Sequence, residues 1–455
     1  MILRDPIHGL VSFESEEELV LPKLIDTPEI QRLRRVRQLG VTSFAFPGAE
    51  HTRFSHAIGS AYVMKQLLAR LRAIHGVLPY WQRITSDRAR DALAAALLHD
   101  VGHGPLSHLF EDAIPGVPMH EEWTRRIVLD ESTHVHRVLA AEDANMPARV
   151  AALVCPNEDD RGARDADVER PLPYLARSVS GTFDVDRCDY LLRDAHATGV
   201  RYGVFDLDWL LRSLCFSPSG EDPATIAPTL AIDGAKGLPA IEAFLVARLF
   251  MFQQVYLHKA TRAAEWMIRA ILSRAARLVG EGLRLEGTPR AIELAAHGQE
   301  IPLADYLELD DAALTTSMHA WENCKDEALR DLTRRIRVRE LFKTYELFGD
   351  HATPKGRARA LEIARDVAKN AGLDPTTYVG LDVASDVPFM PPDESGDELR
   401  VVYAKGPARP LSEVSFLLSR LKGETLERVR LVFARELRDA IRAALEADGN
   451  DAPRR

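Results

Sequence analysis

A histidine and an aspartate lie side by side at the end of a run of residues that favours a helix. The run from Asp91 to Leu98 is rich in alanine and leucine, and His99 and Asp100 follow it directly. Burying an imidazole and a carboxylate without partners is costly, and one divalent metal ion satisfies both groups. A histidine at a helix end is also commonly a cap or a satisfied core side chain, so this pair alone leaves both interpretations open.

Two residues elsewhere in the chain extend this pair to a complete ligand set. His56 begins a predicted helix, which is a rigid position for a metal ligand. Asp186 lies near the start of another predicted helix, where it could equally act as an N-terminal cap. Two imidazoles and two carboxylates form a borderline-to-hard site that suits Mn, Fe, Zn, Ni or Mg better than copper. The predicted metal ligands are therefore His56, His99, Asp100 and Asp186.

Further histidines are candidates for proton transfer beside this ligand set. His103 and His108 follow within ten residues of His99, and His120 begins the next predicted helix. Imidazole titrates near neutral pH, which suits general acid–base catalysis. A metal in such a site lowers the pKa of bound water and polarises a phosphoryl oxygen. These residues predict metal-assisted hydrolysis of a phosphate compound.

An arginine-rich segment supports an anionic substrate. A helix is predicted from Asp26 to Gly40, and Arg32, Arg34, Arg35 and Arg37 lie on it without acidic residues between them. Guanidinium groups bind polyphosphates well. The alternative is an ordinary solvated helix face. The residues alone predict a metallo-phosphohydrolase that acts on a multiply phosphorylated substrate.

Composition limits the other functions of this chain. The formal net charge of −10 argues against attraction of the whole protein to nucleic acid. The four cysteines are scattered, which argues against a disulfide framework or a zinc–thiolate site. The N-terminus has no apolar signal core, and we expect no apolar run of membrane-spanning length. We expect a soluble, cytoplasmic protein with no membrane partner.

An ordered series of motifs carries a family resemblance. The series includes Asp5-Pro-Ile-His-Gly9, His51-Thr-Arg-Phe-Ser-His56, His99-Asp-Val-Gly-His-Gly-Pro-Leu-Ser-His108 and Asp184-Val-Asp-Arg-Cys-Asp-Tyr190. A lone His-Asp doublet is weak evidence, but the whole series closely resembles the HD-domain dNTP triphosphohydrolases of animals and bacteria. The resemblance is strong over about residues 1–260 and weaker through Arg339-Glu-Leu-Phe-Lys343.

The resemblance implies a reaction and a role for each matching residue. Water would attack the α-phosphorus of a dNTP, giving a deoxynucleoside and inorganic triphosphate. The four predicted metal ligands keep that role, and the implied catalytic residues are His103, His108, Glu111 and His120. The implied substrate-binding residues are Gln38, Leu39, Arg53, Arg187, Tyr190, Asp194, Arg248 and Tyr256. In this set Tyr190 stacks on the deoxyribose, Gln38 and Asp194 bind its 3′-OH, and Tyr256 excludes a 2′-OH.

The same resemblance implies regulation and assembly. A second nucleotide site for a GTP or dNTP activator would use Asp26, Gln31, Arg34, His258, Lys259, Arg339 and Lys343. The implied assembly is a homo-oligomer, either a dimer or a tetramer, and single-stranded nucleic acid is a further possible partner. Glu111 stands where the family usually has an aspartate, and Arg4 replaces an asparagine. These departures bear more on activation than on catalysis.

The predicted fold is mainly α, an HD-domain helical bundle with short β elements and a smaller α+β C-terminal part. The HD-type domain is predicted over 1–280 with its core at about 50–195, a helical extension over 281–385, the C-terminal part over 386–446 and a disordered tail over 447–455. Within these segments we expect single helices over 240–280 and 328–343, and a proline-rich linker over 384–398.

Two alternative functions remain open beside the dNTP triphosphohydrolase. One is an HD-domain phosphohydrolase or nuclease that acts on another nucleotide or on a nucleic-acid end, with the same metal site. The other is a non-catalytic nucleotide sensor on the same scaffold. A sensor of this kind is expected to lose metal ligands, and all four are present.

Overall fold

Helices dominate the computed structural model, which describes residues 1–155, 171–217, 228–386 and 399–448. The predicted mainly α fold with short β elements is confirmed. The first half contains β1 (Ile2–Asp5), β2 (Gly9–Ser12), α1 (Val20–Ile25), α2 (Pro28–Arg32), α3 (Arg53–Ile74), α4 (Ser86–Leu98), α5 (His108–Ala113), α6 (His120–Leu129), α7 (His134–Glu142), α8 (Met146–Val154), α9 (Pro173–Val179), α10 (Val185–Thr198), α11 (Leu207–Arg212) and β3 (Leu214–Phe216).

The second half alternates helices with short strands. It contains β4 (Leu230–Asp233), α12 (Leu238–Met251), α13 (Lys259–Gly280), α14 (Arg290–Ala296), α15 (Leu303–Leu307), α16 (Asp311–Trp321), α17 (Glu327–Arg337), β5 (Lys343–Glu346), α18 (Pro354–Asn370), α19 (Pro375–Tyr378), β6 (Val379–Asp386), β7 (Arg400–Val402), β8 (Arg409–Pro410), α20 (Leu411–Val414), α21 (Leu418–Leu421), β9 (Leu426–Phe433) and α22 (Arg438–Asp448).

Two apolar clusters organise these elements. The first contains buried residues of α3, α4, α8, α10 and α12, and the second is built around α13, α17, α18 and the sheet of β5, β6 and β9. Helix α4 lies at the centre of the first cluster, where it contacts α3 and α8. Its alanines Ala92, Ala94, Ala95 and Ala96 are fully buried. Small side chains allow neighbouring helices to approach closely, so the C-terminal end of α4 is held rigidly against α3.

Three small sheets are present among the described residues, and two of them join segments that were expected to form separate domains. Strands β1 and β2 form an antiparallel hairpin; β3, β4, β7 and β8 form a second sheet in which β4 and β7 are parallel; and β9 lies between β5 and β6 in the third. Strands from 386–446 therefore pair with strands of both earlier segments, and the boundaries at 281 and 386 stay predictions. Residues 387–398 of the predicted linker and 449–455 of the predicted tail lie outside the described residues.

Three predicted helices are shorter or broken. The helix expected from Asp26 to Gly40 is α2 followed by a 3-10 turn at Leu33–Arg35. The helix expected over 240–280 is interrupted by a π-helical turn at Phe252–Tyr256, and His258 caps the start of α13 by accepting a hydrogen bond from the Ala260 amide. The basic helix expected to reach residue 343 ends at Arg337, because Arg339 adopts a left-handed backbone conformation with φ of 56°. π turns often occur at functional sites.

One helical stretch contradicts the expectation that no apolar run has membrane-spanning length. Residues Leu238–Tyr256 form 19 residues of helix that are long and apolar enough to cross a membrane by length and composition alone. The core helices of soluble proteins pass the same test, and 39% of this stretch is buried inside the protein.

Candidate metal centre and adjoining nucleotide cavity

Three helix ends bring the four predicted metal ligands together. His56 lies in the first turn of α3, His99 follows the last residue of α4, and Asp186 lies in the first turn of α10. Asp184 is the N-terminal cap of α10 and accepts a hydrogen bond from the Arg187 amide, which leaves Asp186 free to point into the site. The alternative interpretation of Asp186 as a cap is therefore wrong.

The distances between the ligand atoms describe a small, shared centre. His56 Nε2 lies 3.2 Å from His99 Nε2 and 3.0 Å from Asp186 Oδ1. His99 Nε2 lies 3.5 Å from Asp186 Oδ1, and Asp100 Oδ2 lies 3.6 Å from His56 Nε2. Atoms that bind one cation at about 2.0–2.2 Å are separated by about 3 Å. His56, His99 and Asp186 thus have the spacing of a metal site, and Asp100 lies beside them, where its Oδ2 also pairs with Arg53.

The hydrogen bonds made by Nδ1 of His56 and of His99 show whether the opposite ring nitrogens, the Nε2 atoms, can bind a metal. His99 Nδ1 donates to the Ala96 carbonyl at 2.9 Å, and His56 Nδ1 donates to Asp189 at 2.8 Å. Both acceptors lack a proton, so both Nδ1 atoms carry hydrogen and, in the neutral rings, both Nε2 atoms direct lone pairs at the same point. Two lone pairs 3.2 Å apart repel each other unless a cation lies between them. The donor set therefore fits a divalent metal.

Protonation takes the place of that cation when the centre contains protein atoms alone. Burial disfavours the charged imidazolium, but hydrogen bonds with Asp186 and Asp189 outweigh burial and raise the pKa of His56 to about 10. For Asp186, burial favours the neutral acid, but its hydrogen bonds with His56 and His99 outweigh burial and lower its pKa. A metal must therefore displace a proton from His56 when it binds.

A strained loop follows His99 and carries one wall of the site. Leu106 and Ser107 both have positive φ angles, 57° and 59°, which non-glycine residues rarely adopt. The Leu106 amide donates to Asp311 at 2.8 Å, which helps to hold this conformation. Ser107 Oγ then accepts hydrogen bonds from the Arg53 guanidinium, which also pairs with Asp100. The loop thereby fixes Arg53, one of the predicted substrate-binding residues, directly beside the metal centre.

The four predicted catalytic residues form a second cluster. Glu111 accepts hydrogen bonds from His108 Nδ1 at 2.7 Å and from His120 Nδ1 at 3.1 Å. The His103 ring stacks on the His120 ring with centroids 3.8 Å apart, and His103 Nε2 lies 3.3 Å from Asp100 Oδ1. Their ligand atoms lie within 4.8 Å of one another, so this group could also hold a cation.

The surroundings of His103 and Glu111 shift the pKa values of both groups. Burial, followed by the charge of Arg53, lowers the pKa of His103 well below its usual value, so His103 is neutral. Burial would raise the pKa of Glu111, but the hydrogen bonds from His108 and His120 outweigh it and lower that pKa, so Glu111 is a carboxylate. A carboxylate that accepts from two imidazoles is suited to orient a proton donor and acceptor.

A cavity of about 330 Å³ is lined by His108 of the second cluster and by Arg53, which pairs with the predicted metal ligand Asp100. Six of the predicted substrate-binding residues line it together with His108: Gln38, Leu39, Arg53, Tyr190, Asp194 and Tyr256. On its wall, the Tyr256 hydroxyl donates to Asp194 Oδ2 at 2.7 Å, and His51 Nε2 donates to Asp194 Oδ1 at 2.8 Å. Asp194 is 1% exposed, so both donors fix a buried carboxylate.

The remaining two predicted substrate residues do not line this cavity. Arg187 lies in the first turn of α10, where its guanidinium pairs with Asp184 and the Gly181 carbonyl. The Arg248 guanidinium lies over the Phe252 ring, 4.8 Å from its centre, and Phe252 does line the cavity.

The predicted activator residues form separate surface groups. The Gln31 side chain donates a hydrogen bond to the Ile25 carbonyl and accepts one from the Arg34 guanidinium. The exposed Asp26 directly follows Ile25. Arg339 donates to the Phe44 carbonyl at 2.7 Å, and the His258 ring lies 5.3 Å from the Phe46 ring. Lys259 begins α13 and Lys343 begins β5. Arg339 and His258 thus flank the same segment, 44–46, and the activator site stays a prediction.

Several residues of the site carried no predicted role. Ser107 and His51 lie within the quoted motifs, but only their contacts with Arg53 and Asp194 reveal what they do. Asp189 lies in the motif around Asp186, and its carboxylate is the hydrogen-bond partner of His56. Their signal in the sequence is position within a motif, which does not specify a partner 50 to 140 residues away.

The comparisons with protein families and relatives agree with this geometry. The model of the HD domain matches residues 53–193, which contain all four predicted metal ligands. The model described as an HD associated region matches residues 206–282 and 287–447, more than half of the chain. The chain belongs to the HD-domain phosphohydrolase family. It is therefore a hydrolase scaffold, and HD domains bind divalent metals.

Relatives of this HD-domain protein extend over its whole length. The uncharacterized protein YwfO of Bacillus subtilis is 33% identical over 441 residues, which is 96% of this chain and 92% of that protein. The deoxynucleoside triphosphate triphosphohydrolase SAMHD1 of Gallus gallus is 27% identical over 365 residues, which is 75% of this chain and 55% of that protein. A phosphohydrolase from Bacteroides thetaiotaomicron has a crystal structure that matches with a TM-score of 0.76 at 28% identity, covering 96% of this chain and all of that one.

Proposed function

We propose that this HD-domain protein is a metal-dependent dNTP triphosphohydrolase that converts a dNTP and water into a deoxynucleoside and triphosphate. The observation that carries the proposal is the buried Asp194 carboxylate on the cavity wall, held by Tyr256 and His51. A fixed carboxylate beside an aromatic side chain suits a sugar hydroxyl, and the phosphate-binding Arg53 lies in the same cavity. The similarity to SAMHD1, a deoxynucleoside triphosphate triphosphohydrolase, supports the same substrate class.

In the proposed complex, the residues of the cavity hold the sugar. Tyr190 stacks on the deoxyribose and Asp194 accepts a hydrogen bond from the 3′-OH, with Gln38 as a second contact. The Tyr256 ring occupies the space that a 2′-OH would need, because its hydroxyl is tied to Asp194. Leu39 contacts the base. A site that leaves no room for one hydroxyl and pairs with another discriminates between ribose and deoxyribose.

In the proposed reaction, the residues around the metal centre prepare the α-phosphate for attack by water. Arg53 binds the α-phosphate, Arg248 binds the outer phosphates, and Arg187 is a further phosphate ligand. The metal, when bound by His56, His99, Asp100 and Asp186, supplies charge that activates water and polarises the phosphoryl oxygen. His103 stays neutral, and Glu111 orients His108 and His120 to transfer protons near the α-phosphate. The metal is one of Mn, Mg, Fe, Zn or Ni.

Regulation and assembly complete the proposal. GTP or a dNTP would bind the surface groups around Arg34 and Arg339 as an activator, and the enzyme would act as a dimer or tetramer. The acidic net charge of −10 fits a protein that binds nucleotides at local arginines better than one that binds long nucleic acid.

One assay tests the proposal directly. The pure protein is incubated with Mn²⁺ or Mg²⁺ and each dNTP, singly and in mixtures, and triphosphate and deoxynucleoside are quantified. Release from single dNTPs supports the enzyme without an obligatory activator, and release in mixtures alone supports the activator site as well. His99→Ala combined with Asp100→Ala should abolish hydrolysis and metal content while leaving the fold largely intact. Full activity of this double variant, or no triphosphate from metal-loaded protein, rejects the proposal.

A further inference from the structure

Asp189 has no part in the proposed reaction, although it is fully buried directly behind the metal centre. It lies on α10, one turn after Asp186, and its carboxylate accepts four hydrogen bonds. Oδ2 accepts from His56 Nδ1 at 2.8 Å and from Arg193 Nε at 2.8 Å. Oδ1 accepts from Arg193 Nη2 at 2.8 Å and from His8 Nε2 at 2.7 Å. Both oxygens are thus fully occupied, and the orientation of the carboxylate is fixed.

Two of the donors link this carboxylate to the N-terminal hairpin. His8 lies in the turn between β1 and β2, and Asp5 begins the same turn. Asp5 Oδ1 accepts from the amides of Ile7 and His8 at 2.9 Å, and its other oxygen accepts from Arg193 Nη1 at 2.8 Å. Arg193 therefore connects Asp5 to Asp189 through one buried guanidinium.

The neighbouring helix leaves room for this network. Gly59 lies one turn after His56 on α3, and a Cβ atom placed there would be 1.9 Å from Asp189 Oδ1 and 2.4 Å from Arg193 Nη2. Any larger residue at this position would displace the carboxylate that His56 contacts. The close approach of α3 and α10 at Gly59 is therefore a requirement of the network.

We propose that Asp189 is the positioning residue of the metal centre, and that Arg193, His8 and Asp5 hold it so that His56 presents Nε2 to the metal. The inference rests on the metal site of the proposed function. A carboxylate that accepts Nδ1–H from a ligand histidine fixes the ring orientation and raises its basicity. Here the N-terminal turn supports that contact, because His8 donates to Asp189 and Asp5 accepts a hydrogen bond from Arg193.

Metal affinity tests the proposal independently of activity. The protein is stripped with a chelator, and the Kd for Co²⁺ and Mn²⁺ is measured by competition, with the visible spectrum of bound Co²⁺ as a second readout. Asp189→Asn should weaken binding by about 10–100-fold and alter the Co²⁺ spectrum, because a neutral amide replaces the carboxylate behind His56. Saturating metal should largely restore kcat, since no group that touches substrate has changed.

The matched control is Asp91→Asn. Asp91 is a buried carboxylate on α4 that pairs with Arg149 and has no contact with a predicted metal ligand. The Asp91→Asn variant should keep the Kd for metal within twofold of wild type, even if the substitution destabilises the fold. His8→Ala, which removes one of the four hydrogen bonds to Asp189, should weaken binding less than Asp189→Asn and serves as the second test if that variant does not fold.

The possible outcomes separate this inference from the metal site itself. His99→Ala should lose metal binding. Suppose that His99→Ala loses metal binding but the folded Asp189→Asn variant keeps a Kd within twofold of wild type. The positioning role is then overturned and the proposed function stands. His8→Ala is read in the same way if Asp189→Asn does not fold. Equal losses in Asp189→Asn and Asp91→Asn also overturn the positioning role, because the effect is then one of general stability. Wild-type binding by His99→Ala rejects the metal site and, with it, both proposals.

Discussion

Arg32 makes a buried set of contacts whose removal should be costly. Its side chain is 2% exposed, and its guanidinium donates to the carbonyls of Leu309 at 2.8 Å, Val101 at 2.9 Å and His103 at 2.7 Å. Two of these acceptors belong to the loop that directly follows His99 and Asp100. Arg32 therefore supports the backbone of the loop that carries the predicted catalytic histidines, and it is not a phosphate ligand on a solvated helix face.

We expect Arg32→Met to destabilise the protein by about 3–5 kcal/mol. Leaving a buried carbonyl without its donor costs about 1–3 kcal/mol, and because the three losses are not additive the total should be about 3–5 kcal/mol. For a cooperative unit of about 250 residues, 1 kcal/mol shifts Tm by about 2 °C, so Tm should fall by about 6–10 °C. Metal content should fall as well, because the loop after Asp100 loses its support.

Arg35→Met is the matched control for this experiment. Arg35 lies in the 3-10 turn that follows α2, its side chain is 55% exposed, and it pairs with Asp310, a buried carboxylate that also caps α16 by accepting a hydrogen bond from the Ala313 amide. Because water reaches the Arg35 side of this pair and Asp310 keeps its bond from Ala313, the loss should be about 1 kcal/mol and Tm should fall by about 2 °C. Thermal unfolding by circular dichroism measures both variants. Equal Tm values for Arg32→Met and wild type would refute the reasoning, since three buried carbonyls cannot lose a charged donor without consequence.

Three further predictions concern the cavity and the metal centre. Tyr256→Ala should lower the ratio of kcat/KM for dNTP over the corresponding ribonucleotide by about tenfold or more, and an unchanged ratio removes Tyr256 as the gate. Without metal, the pKa of His56 is raised to about 10, so protonated His56 stabilises the fold. This contribution is complete below about pH 6.5 and is lost as pH rises through 10. The Tm of metal-free protein should therefore fall between pH 7 and 10, and a Tm that stays constant contradicts the assigned contacts. Gly59→Ala should cost about 1–3 kcal/mol and weaken metal binding, whereas Gly76→Ala, where nothing lies within 4 Å of the added methyl group, should do neither.

Helix boundaries show where sequence patterns are incomplete. Helix α4 ends at Leu98, the last residue of the predicted alanine- and leucine-rich run, and Thr85 caps its start at Ser86. The helix expected over 240–280 follows a continuous apolar stripe, but the chain bends at Phe252–Tyr256 so that Phe252 and Tyr256 line the cavity. Apolar periodicity records that residues are buried, but it does not record which partner buries them.

Arginines show the same limit for charge. The sequence identifies four arginines between Arg32 and Arg37 as an anion-binding face. In the structure Arg32 is buried against main-chain carbonyls, and Arg35 pairs with Asp310. A guanidinium binds carbonyls, carboxylates and phosphates alike, so its residue type specifies a charge and not a partner.

The sequence by itself determined the chemical inventory of this protein: a mainly helical chain of the HD-domain family with His56, His99, Asp100 and Asp186 as candidate ligands. Residue types and motif order suffice for that inventory because it depends on local chemistry. The tertiary structure alone decided which groups act on one another, such as Asp189 behind His56 and His51 beside Asp194. Those contacts join residues more than 130 positions apart, and only the packing of α3 against α10 brings them within hydrogen-bonding distance.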